Sequence, residues 1–443
     1  MRLNLFFAAS LLLFCSALSP ACALNPNLPP GSNFDLSHWY LQLPTAGGVL
    51  TGTGGSVDSA STSQLIGGFT NNYFYTAADG AMTFWVPDNG ATTSGSSHPR
   101  SELREELSPG DTGFNWSLYG THVLTATCVV SNVPSDTGKV CIGQIHEPNI
   151  KPDGSASANN EHMIMFDLFN KKIYANINLD GDQSSSFSKT FISGTNVALG
   201  RPINYTMSVV NGLLQIVVNN VTNSWDLFSG TNFQGHIAQN WDAASGNTLY
   251  FKAGDYNQTV DTCGCSTDGA MVAFYALANT HAPSITNQPA SISAWTLTNT
   301  TFSVGALDWI NMTYQWWFNA TNKLTGATNT SLTISNVSGT NAGNYTVVVK
   351  DNFGSVTSAV AALTVIISPV ISSSKMAADR GSFTLTGAGT ASQPYVLQTT
   401  SSLMPPVTWL PVTTNNAAAS GAFSLTDPQA GNFTQRFYRV ATP

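Results

Sequence analysis

The sequence predicts an all-β protein, and three observations support this prediction. Short stretches of alternating apolar and polar residues recur along the chain, separated by Gly, Pro, Asn, Asp and Ser, as in strands joined by turns. No long stretch repeats with the helical period. Charged residues make up only 9% of the 443 residues. Because the strands are many and short, we expect two stacked antiparallel sheets. The clearest hairpin is Val210-Asn-Gly-Leu213, since Asn-Gly suits a type I′ turn.

Residues 1–23 predict a signal peptide for export. Arg2 gives the positive start, residues 5–18 form an apolar run, and Ala21-Cys-Ala23 fits a cleavage site. A membrane anchor is the alternative, but the apolar run is short for a bilayer span, and no later segment is apolar enough to cross one. We expect a secreted, extracellular protein, with a periplasmic or surface-attached location as alternatives.

The rest of the chain is predicted to form three β-rich domains. Residues 24–282 form the first. Residues 283–366 resemble a bacterial immunoglobulin-like β-sandwich, with Trp316 in its core and Tyr345 in a tyrosine corner. Residues 367–443 form a small C-terminal module. The two C-terminal modules can serve for attachment to polysaccharide or to a cell surface; a role in stability or export is the alternative.

Three stretches of the first domain place polar side chains on a single strand face. Side chains of a strand alternate between its two faces, so residues two apart share one. A face with phenols, cations and amides makes a poor core and a good floor for a polar, anionic ligand. The residues with this pattern are Arg100, Glu102 and Arg104; Gln144 and His146; and Tyr250, Lys252, Tyr256 and Gln258.

The three stretches together resemble the motifs of polysaccharide lyase family 7, the alginate lyases. They read Arg100-Ser-Glu-Leu-Arg104, Gln144-Ile-His146 and Tyr250-Phe-Lys-Ala-Gly-Asp-Tyr-Asn-Gln258, complete and in the family's order. The resemblance covers roughly residues 30 to 280. It implies a β-jelly roll whose concave face binds alginate. Asp255 occupies the variable position of the third motif, and its side chain should point away from the cleft.

The resemblance implies four catalytic residues for β-elimination. A lyase removes the C5 proton of a uronate and expels the C4 oxygen, so the charge of the carboxylate must be offset and acid and base groups must reach both atoms. Arg100 and Gln144 are assigned to neutralising the carboxylate. His146 assists there and is a candidate base for guluronate. Tyr256 is the general acid, and also the base for syn elimination at mannuronate.

The remaining motif residues are expected to bind substrate. Arg104 and Lys252 supply positive field and subsite contacts, because a phenol with an ordinary pKa near 10 needs nearby cations to act as a base. Glu102 is expected to orient Arg104 or Arg100. Tyr250 and Gln258 are expected to contact the sugar. No metal or organic cofactor is implied. Five other histidines lack such neighbours and are interpreted as structural: His38, His98, His122, His162 and His236.

The charge balance argues against a nucleic acid partner and limits where an anionic ligand could bind. Between residues 24 and 282 there are 9 Lys and Arg against 20 Asp and Glu, so no overall field attracts an anion. Three of these nine cations are Arg100, Arg104 and Lys252. We therefore expect a locally basic cleft on an acidic body, and no nucleic acid partner.

Four cysteines remain after the signal peptide. Cys128 and Cys141 flank a predicted hairpin and lie opposite each other if its turn is centred between residues 134 and 135, so we expect a disulfide between them. Cys263 and Cys265 are either a short-loop bridge or free thiols. A metal site is disfavoured because no histidine lies near them at ligand spacing.

Two alternatives to alginate lyase stay open from the sequence. One is a lyase for another polyuronate such as glucuronan, and the other is a non-catalytic carbohydrate-binding protein, since fold alone does not decide activity. In the family that the motifs resemble, the Ile of Gln144-Ile-His146 accompanies guluronate-containing substrates. This implies a preference for poly-guluronate or mixed blocks.

Overall fold

The computed structural model describes residues 23–50, 56–93, 95–147, 162–177, 188–191, 196–227, 248–260, 267–308 and 310–442. Residues 1–22 of the predicted signal peptide lie outside this part of the chain, as do Cys263 and Cys265. The chain divides into two compact units, Met1–His281 and Ala282–Pro443. Within the described ranges, no helix has both the length and the apolar character needed to cross a bilayer.

Strands dominate the described part of the first unit. Its described helices are short: α1 (Pro30–Asn33) and α2 (Thr62–Ile66). Its described strands are β1 (Trp39–Gln42), β2 (Ser59–Ala60), β3 (Phe74–Thr76), β4 (Met82–Pro87), β5 (Arg100–Glu105), β6 (Thr121–Asn132), β7 (Lys139–His146), β8 (His162–Phe169), β9 (Lys172–Ile177), β10 (Ser188–Phe191), β11 (Pro202–Val210), β12 (Leu213–Val218), β13 (Val221–Asp226), β14 (Tyr250–Asn257) and β15 (Gly269–Ala282).

These strands form two sheets that enclose the core. The eight-stranded sheet, here called the site sheet, has the order β10-β9-β8-β7-β14-β5-β1-β2. The seven-stranded back sheet has the order β13-β12-β11-β6-β15-β4-β3. The sheets meet through side chains such as Phe166 on β8 and Tyr205 on β11, whose ring centroids are 5.0 Å apart. The predicted all-β jelly-roll sandwich is confirmed.

The Asn-Gly hairpin forms as the sequence predicts. Val210 pairs with Leu213, the last and first residues of β11 and β12. Asn211 and Gly212 have φ angles of 46° and 76°. Positive φ at both central positions defines the type I′ turn, whose twist matches that of the flanking strands.

The predicted disulfide between Cys128 and Cys141 is wrong, because the hairpin that would align them does not form. Both strands exist, but β6 lies in the back sheet and β7 in the site sheet. Cys128 pairs with Ile203 on β11, whereas Cys141 pairs with Tyr256 on β14. Both thiols are free and buried, and burial raises the pKa of each. The Cys141 thiol donates to the Gly143 carbonyl at 3.3 Å.

The described part of the second unit also consists mainly of strands, with short 3₁₀ helices at Gly339–Asn341 and Ala430–Asn432. Its described strands are β16 (Ser284–Asn287), β17 (Ile292–Trp295), β18 (Thr300–Ser303), β19 (Gly305–Leu307), β20 (Thr313–Phe318), β21 (Asn322–Lys323), β22 (Ser331–Ile334), β23 (Gly343–Lys350), β24 (Ser355–Thr357), β25 (Ala361–Ile366), β26 (Val370–Met376), β27 (Phe383–Ala388), β28 (Pro394–Thr400), β29 (Leu410–Asn416), β30 (Ala422–Asp427) and β31 (Phe437–Ala441).

Two separate hydrophobic clusters stabilise the second unit. One contains Trp316, which is fully buried, and Tyr345, whose hydroxyl donates to the Asn341 carbonyl at 2.8 Å. The other centres on Tyr395 and Phe423, between the three-stranded sheets β26-β27-β30 and β29-β28-β31. The division into two modules near residue 366 stays a prediction.

Candidate active site

Three neighbouring strands of the site sheet bring the motif residues together. β14 lies between β5 and β7, so its residues have partners on both sides. Lys252 pairs with Arg104 on β5 and with Gln144 on β7, and Tyr256 pairs with Arg100. Because paired residues of antiparallel strands point to the same side, these five side chains share one face, here called the site face.

The other motif residues extend this face in both directions. His146 pairs with Tyr250 at the start of β14. Glu102 pairs with Gly254, so nothing larger than a hydrogen stands on the site face at that point of β14. Gln258 lies one residue beyond the end of β14 and is buried. The structure therefore brings eight of the nine predicted residues onto three paired strands, with the ninth at their edge.

The opposite face of the same strands belongs to the core. Leu103, Ile145 and Phe251 are fully buried there, and the Phe251 ring lies 4.9 Å from that of Trp116. The alternation also places Asp255 on this inner face, as predicted. Neither of its carboxyl oxygens has a hydrogen-bond partner among the residues that the structure describes.

The Glu102 carboxylate contacts three other side chains of the site face. It is fully buried, and its Oε2 lies 3.3 Å from a terminal nitrogen of Arg100 and 2.5 Å from Nζ of Lys252. Its Oε1 accepts a hydrogen bond from Nε2 of Gln144. Glu102 thus orients Arg100, the second of the two partners expected for it, and holds two further donors as well.

Aromatic rings fix the two arginines. The Arg104 guanidinium lies 3.8 Å from the ring centroid of Tyr250 and 5.6 Å from that of Tyr40. The Arg100 guanidinium lies 3.9 Å from the ring centroid of Tyr256. Cation–π contacts of this kind attract a guanidinium to the face of a ring.

Both guanidinium groups keep a hydrogen-bond donor without a protein partner. Nε of Arg100 and Nη1 of Arg104 are buried and unpaired within the described part of the chain. Buried donors are nearly always satisfied in native proteins, so an unpaired one requires a reason. A carboxylate is the kind of ligand that would pair with such donors, because guanidinium–carboxylate hydrogen bonds are among the strongest in proteins.

Burial also sets the ionisation of the site. It lowers the pKa of Lys252 to about 8, together with the charge of Arg100 and against the attraction of Glu102. It raises the pKa of Tyr40 to about 12 in spite of the nearby Arg104 charge. Among the described residues, the site face brings the basic side chains of Arg100, Arg104 and Lys252 together with one acidic side chain, that of Glu102.

His146 is held in one orientation. Its Nδ1 lies 2.7 Å from the Glu147 carbonyl oxygen, and its ring stacks on Tyr250 with centroids 5.4 Å apart. A carbonyl only accepts, so Nδ1 carries the hydrogen in this contact, and in the neutral ring Nε2 holds the lone pair. Nε2 is therefore the atom that can take a proton.

Sequence reasoning missed two residues of the first described strand. Gln42 accepts from Nζ of Lys252 at 3.3 Å, and Tyr40 covers Arg104. Both lie on β1, which pairs with β5. In the sequence, Tyr40 and Gln42 alternate with the apolar Trp39 and Leu41, which indicates a strand with two different faces. Only the pairing of β1 with β5 shows that Tyr40 and Gln42 lie on the site face.

Two residues before β5 were also missed. The Oγ of Ser96 lies 2.7 Å from the Tyr256 hydroxyl. His98, interpreted as structural from the sequence, has its ring centroid 6.0 Å from that of Tyr256. Their closeness to Arg100 in the chain was the only available indication.

The arrangement suits an anionic substrate that exchanges protons. Cations and amides converge on one face, with a phenol near one end and an imidazole near the other. Among the described residues, no three His, Cys, Asp or Glu side chains are grouped so that they could hold a metal ion. A two-sheet β-sandwich with such a face defines a jelly-roll protein with a binding site for an acidic ligand.

The chain belongs to the alginate lyase family, whose sequence model matches residues 34–281. An alginate lyase of Klebsiella pneumoniae is 29% identical over 295 residues, which cover 57% of this chain and 91% of the relative. The crystal structure of family 7 alginate lyase A1-II′ with the product GGG is 33% identical, covering 57% of this chain and 99% of that one, with a TM-score of 0.49. An alginate lyase structure from Pseudomonas aeruginosa is 31% identical, covers 56% and 99%, and has a TM-score of 0.45.

Proposed function

We propose that the first unit cleaves alginate by β-elimination and leaves an unsaturated uronate at each cut. The observation that supports this most directly is the pair of buried, unpaired donors on Arg100 and Arg104. They lie beside a buried lysine and amide that Glu102 already holds in place. A uronate carboxylate matches these donors in charge and geometry. Family membership points to the same substrate.

Neutralising the carboxylate is the first chemical task. Removing the C5 proton spreads negative charge into the carboxylate, so donors fixed in advance lower the barrier. Arg100 and Gln144 are the donors that we assign to it. Lys252 adds positive charge directly beside Gln144, because the two residues pair across β14 and β7. We assign Arg104, which lies against Tyr250 and near Tyr40, to a neighbouring uronate.

Proton transfer is the second task. In the proposed reaction, the C5–H bond breaks and its proton goes to the base. The C4–O4 bond then breaks, and O4 takes the proton of the Tyr256 hydroxyl. At guluronate we assign Nε2 of His146 as the base. At mannuronate we assign Tyr256 as the base in its phenolate form. It takes the C5 proton, the C5–H electron pair forms the C4–C5 double bond, and the resulting phenol gives the proton to O4 as the C4–O4 bond breaks.

We also propose a preference for guluronate-containing blocks. His146 on β7 pairs with Tyr250 at the start of β14, whereas Tyr256 lies near the other end of β14 and pairs with Arg100. Groups that approach a sugar from two ends suit an anti elimination with separate acid and base. Gly254 leaves room between them, and Ile145 lies between Gln144 and His146 as in the motif that accompanies guluronate.

The test uses purified polyguluronate, polymannuronate and glucuronan, with ultraviolet absorbance of the conjugated uronate as the readout. Wild type should act on guluronate blocks, and Tyr256→Phe should lose at least about 100-fold in kcat. His146→Asn should lose much more activity on guluronate than on mannuronate. No absorbance rise on any polymer would leave a sugar-binding protein. An absorbance rise on glucuronan alone would mean that the substrate is glucuronan and not alginate.

For the other parts of the chain we propose export through the N-terminal signal peptide and attachment through the second unit. The buried Trp316 and the hydrogen bond from Tyr345 to the Asn341 carbonyl support an immunoglobulin-like module. Comparing the binding of the full chain and of residues 24–282 to insoluble alginate tests attachment. Equal binding would contradict it.

A further inference from the structure

The hydroxyl of Tyr256 has a protein partner that none of the three motifs contains. Ser96 lies in the segment that leads into β5, is half-buried, and places its Oγ 2.7 Å from the Tyr256 hydroxyl oxygen. We propose that Ser96 is a positioning residue for Tyr256, and that its hydroxyl reverses its hydrogen-bond direction during the reaction. This inference rests on the proposed function of Tyr256 as proton donor to O4.

The contacts of the Ser96 hydroxyl allow two arrangements. Its Oγ accepts from the backbone N–H of His98 at 3.1 Å in both. In the first, the Ser96 proton points to the His98 carbonyl, also 3.1 Å away, and Oγ accepts from the Tyr256 hydroxyl. In the second, Ser96 donates to the Tyr256 oxygen. A hydroxyl has one donor and two acceptor positions, so both arrangements satisfy it.

The two arrangements correspond to the two states that Tyr256 needs. Without substrate, the phenol proton is held by Ser96. When O4 takes the place of Ser96 as acceptor, the Ser96 proton turns toward the phenol oxygen. After O4 has received the Tyr256 proton, Ser96 donates to the phenolate. No proton leaves Ser96, and the negative charge gains a charge-assisted hydrogen bond.

The segment that carries Ser96 is fixed to the strand that carries Tyr256. Nδ1 of His98 lies 2.7 Å from the Thr259 carbonyl, three residues beyond Tyr256. The carbonyl can only accept, so Nδ1 carries the hydrogen. Burial lowers the pKa of His98 and outweighs the opposing effect of the hydrogen bond to Thr259, so the environment favours the neutral ring.

Other groups around Tyr256 leave its oxygen to Ser96. Arg100 lies against the ring face, and the His98 ring contacts it edgewise. Cys141 and Met165 pack against it from β7 and β8, and burial keeps the Cys141 thiol neutral by raising its pKa. Among the hydrogen bonds that the structure describes, the Ser96 contact is the one made by the Tyr256 hydroxyl.

The test compares Ser96→Ala with Ser96→Thr, which keeps the hydroxyl, and with Ser97→Ala, a matched change at the exposed neighbouring residue. Ser96→Ala should lower kcat on polyguluronate by about 10- to 100-fold, as expected for a hydrogen bond to a charged group. KM should stay within about twofold because the carboxylate donors are untouched. The pH–kcat profile should move up by about one pH unit. Ser96→Thr should recover most of the activity, and Ser97→Ala should match wild type.

A second readout does not require turnover. Tyrosinate absorbance is titrated with pH, and the contribution of Tyr256 is isolated as the difference from Tyr256→Phe, with and without Ser96→Ala. A midpoint that moves to higher pH in Ser96→Ala supports the inference even if no polyuronate is cleaved. An unchanged midpoint overturns it, as does a Ser96→Ala enzyme with wild-type kcat and pH profile. Loss of activity in Ser96→Thr as large as in Ser96→Ala also overturns it. Failure of the proposed function would appear differently, as a wild type inactive on every polymer.

Discussion

Lys252 and Asp255 are three residues apart on β14, and removal from water shifts the pKa of each in favour of its neutral form. The pKa of Lys252 falls to about 8, and that of Asp255 rises well above 3.8. The two side chains have different surroundings. Lys252 lies on the site face with its ammonium against Glu102, whereas Asp255 lies on the inner face near two other acidic residues, Glu102 and Asp88.

The lowered pKa of Lys252 predicts that substrate binding depends on pH. Below about pH 8 its ammonium is protonated and attracts a uronate carboxylate, whereas above that pH the charge is lost. KM for polyguluronate should therefore rise about tenfold between pH 7 and 9, as expected when a charge-assisted hydrogen bond is lost. Steady-state kinetics across this range measure it.

Lys252→Met provides the comparison. It should have a raised KM that no longer changes over the same pH range, because no titrating ammonium remains. Lys323→Met, in the second unit, should keep the wild-type profile. An unchanged pH dependence in Lys252→Met would contradict the assignment.

The raised pKa of the buried Asp255 predicts that replacing this residue with a neutral one stabilises the protein. Its folded pKa is raised, so between pH 3.8 and that value the folded state holds a proton that the unfolded state has released. Stability is therefore lost as pH rises through this window, by up to about 1.4 kcal/mol per pH unit. Asp255→Asn is neutral in both states and should remove this loss.

Denaturant unfolding at pH 5 and pH 7 measures the effect. The free energy of unfolding of Asp255→Asn should exceed that of wild type, and the gain should be larger at the higher pH. Asp111→Asn, at an exposed position, serves as the matched change and should show no such gain. Equal stability of Asp255→Asn and wild type at both pH values would sink the idea.

At the level of elements, β14 and β5 approach each other at Gly254. Gly254 has a φ of 151°, and a Cβ there would lie 2.7 Å from the Ser101 carbonyl oxygen and 2.8 Å from Cα of Glu102. Both are backbone atoms, which cannot swing aside. Gly254→Ala should therefore push the strands apart, destabilise the fold by about 2–4 kcal/mol and displace Glu102.

Thermal unfolding and kcat measured together test this expectation. Activity should fall even at temperatures where Gly254→Ala is fully folded, because Arg100, Lys252 and Gln144 all depend on Glu102. Gly138→Ala separates backbone strain from the clash, since its φ is 63° but nothing lies within 4 Å of its Cβ position. It should cost about 1–2 kcal/mol and leave kcat unchanged. A fully active Gly254→Ala would count against this role of the glycine.

Strand pairing also explains why one element-level prediction succeeded and another failed. The Val210–Leu213 hairpin is encoded by two adjacent residues that accept positive φ. The Cys128–Cys141 pairing assumed that strands adjacent in the chain are adjacent in one sheet. Here the chain crosses between sheets after β6, and nothing local in the turn encodes that crossing.

At the level of the whole first unit, a buried polar network ties the sheets together behind the site. His281 Nε2 lies 2.8 Å from Glu105 Oε1, and its Nδ1 lies 2.9 Å from Nδ1 of His122. Burial opposes the charge of Glu105, but contacts with His281, Phe251 and Asn279 outweigh it and lower its pKa. Burial, with His281, lowers the pKa of His122 well below 6.5.

This network predicts where the first unit can be cut. A chain ending at Ala282 retains the whole network and should keep wild-type kcat on short alginate oligosaccharides. A chain ending at Ala278 leaves Glu105 buried without Asn279 and His281, which should destabilise the unit by about 3–5 kcal/mol. Thermal unfolding and oligosaccharide kinetics of both truncations measure this. Equal melting temperatures would contradict the role of the network.

The sequence alone determined the all-β class, the alternation that separates Arg100, Glu102 and Arg104 from Ser101 and Leu103, and the motifs that identify the family. These depend on period and local composition, which a linear chain displays directly. The tertiary structure alone decided which strands are neighbours. It made Glu102 the common partner of three donors, brought Ser96 to Tyr256 across 160 residues, and separated Cys128 from Cys141. The physical reason is that pairing and burial arise from contacts distant in sequence, which no local pattern records.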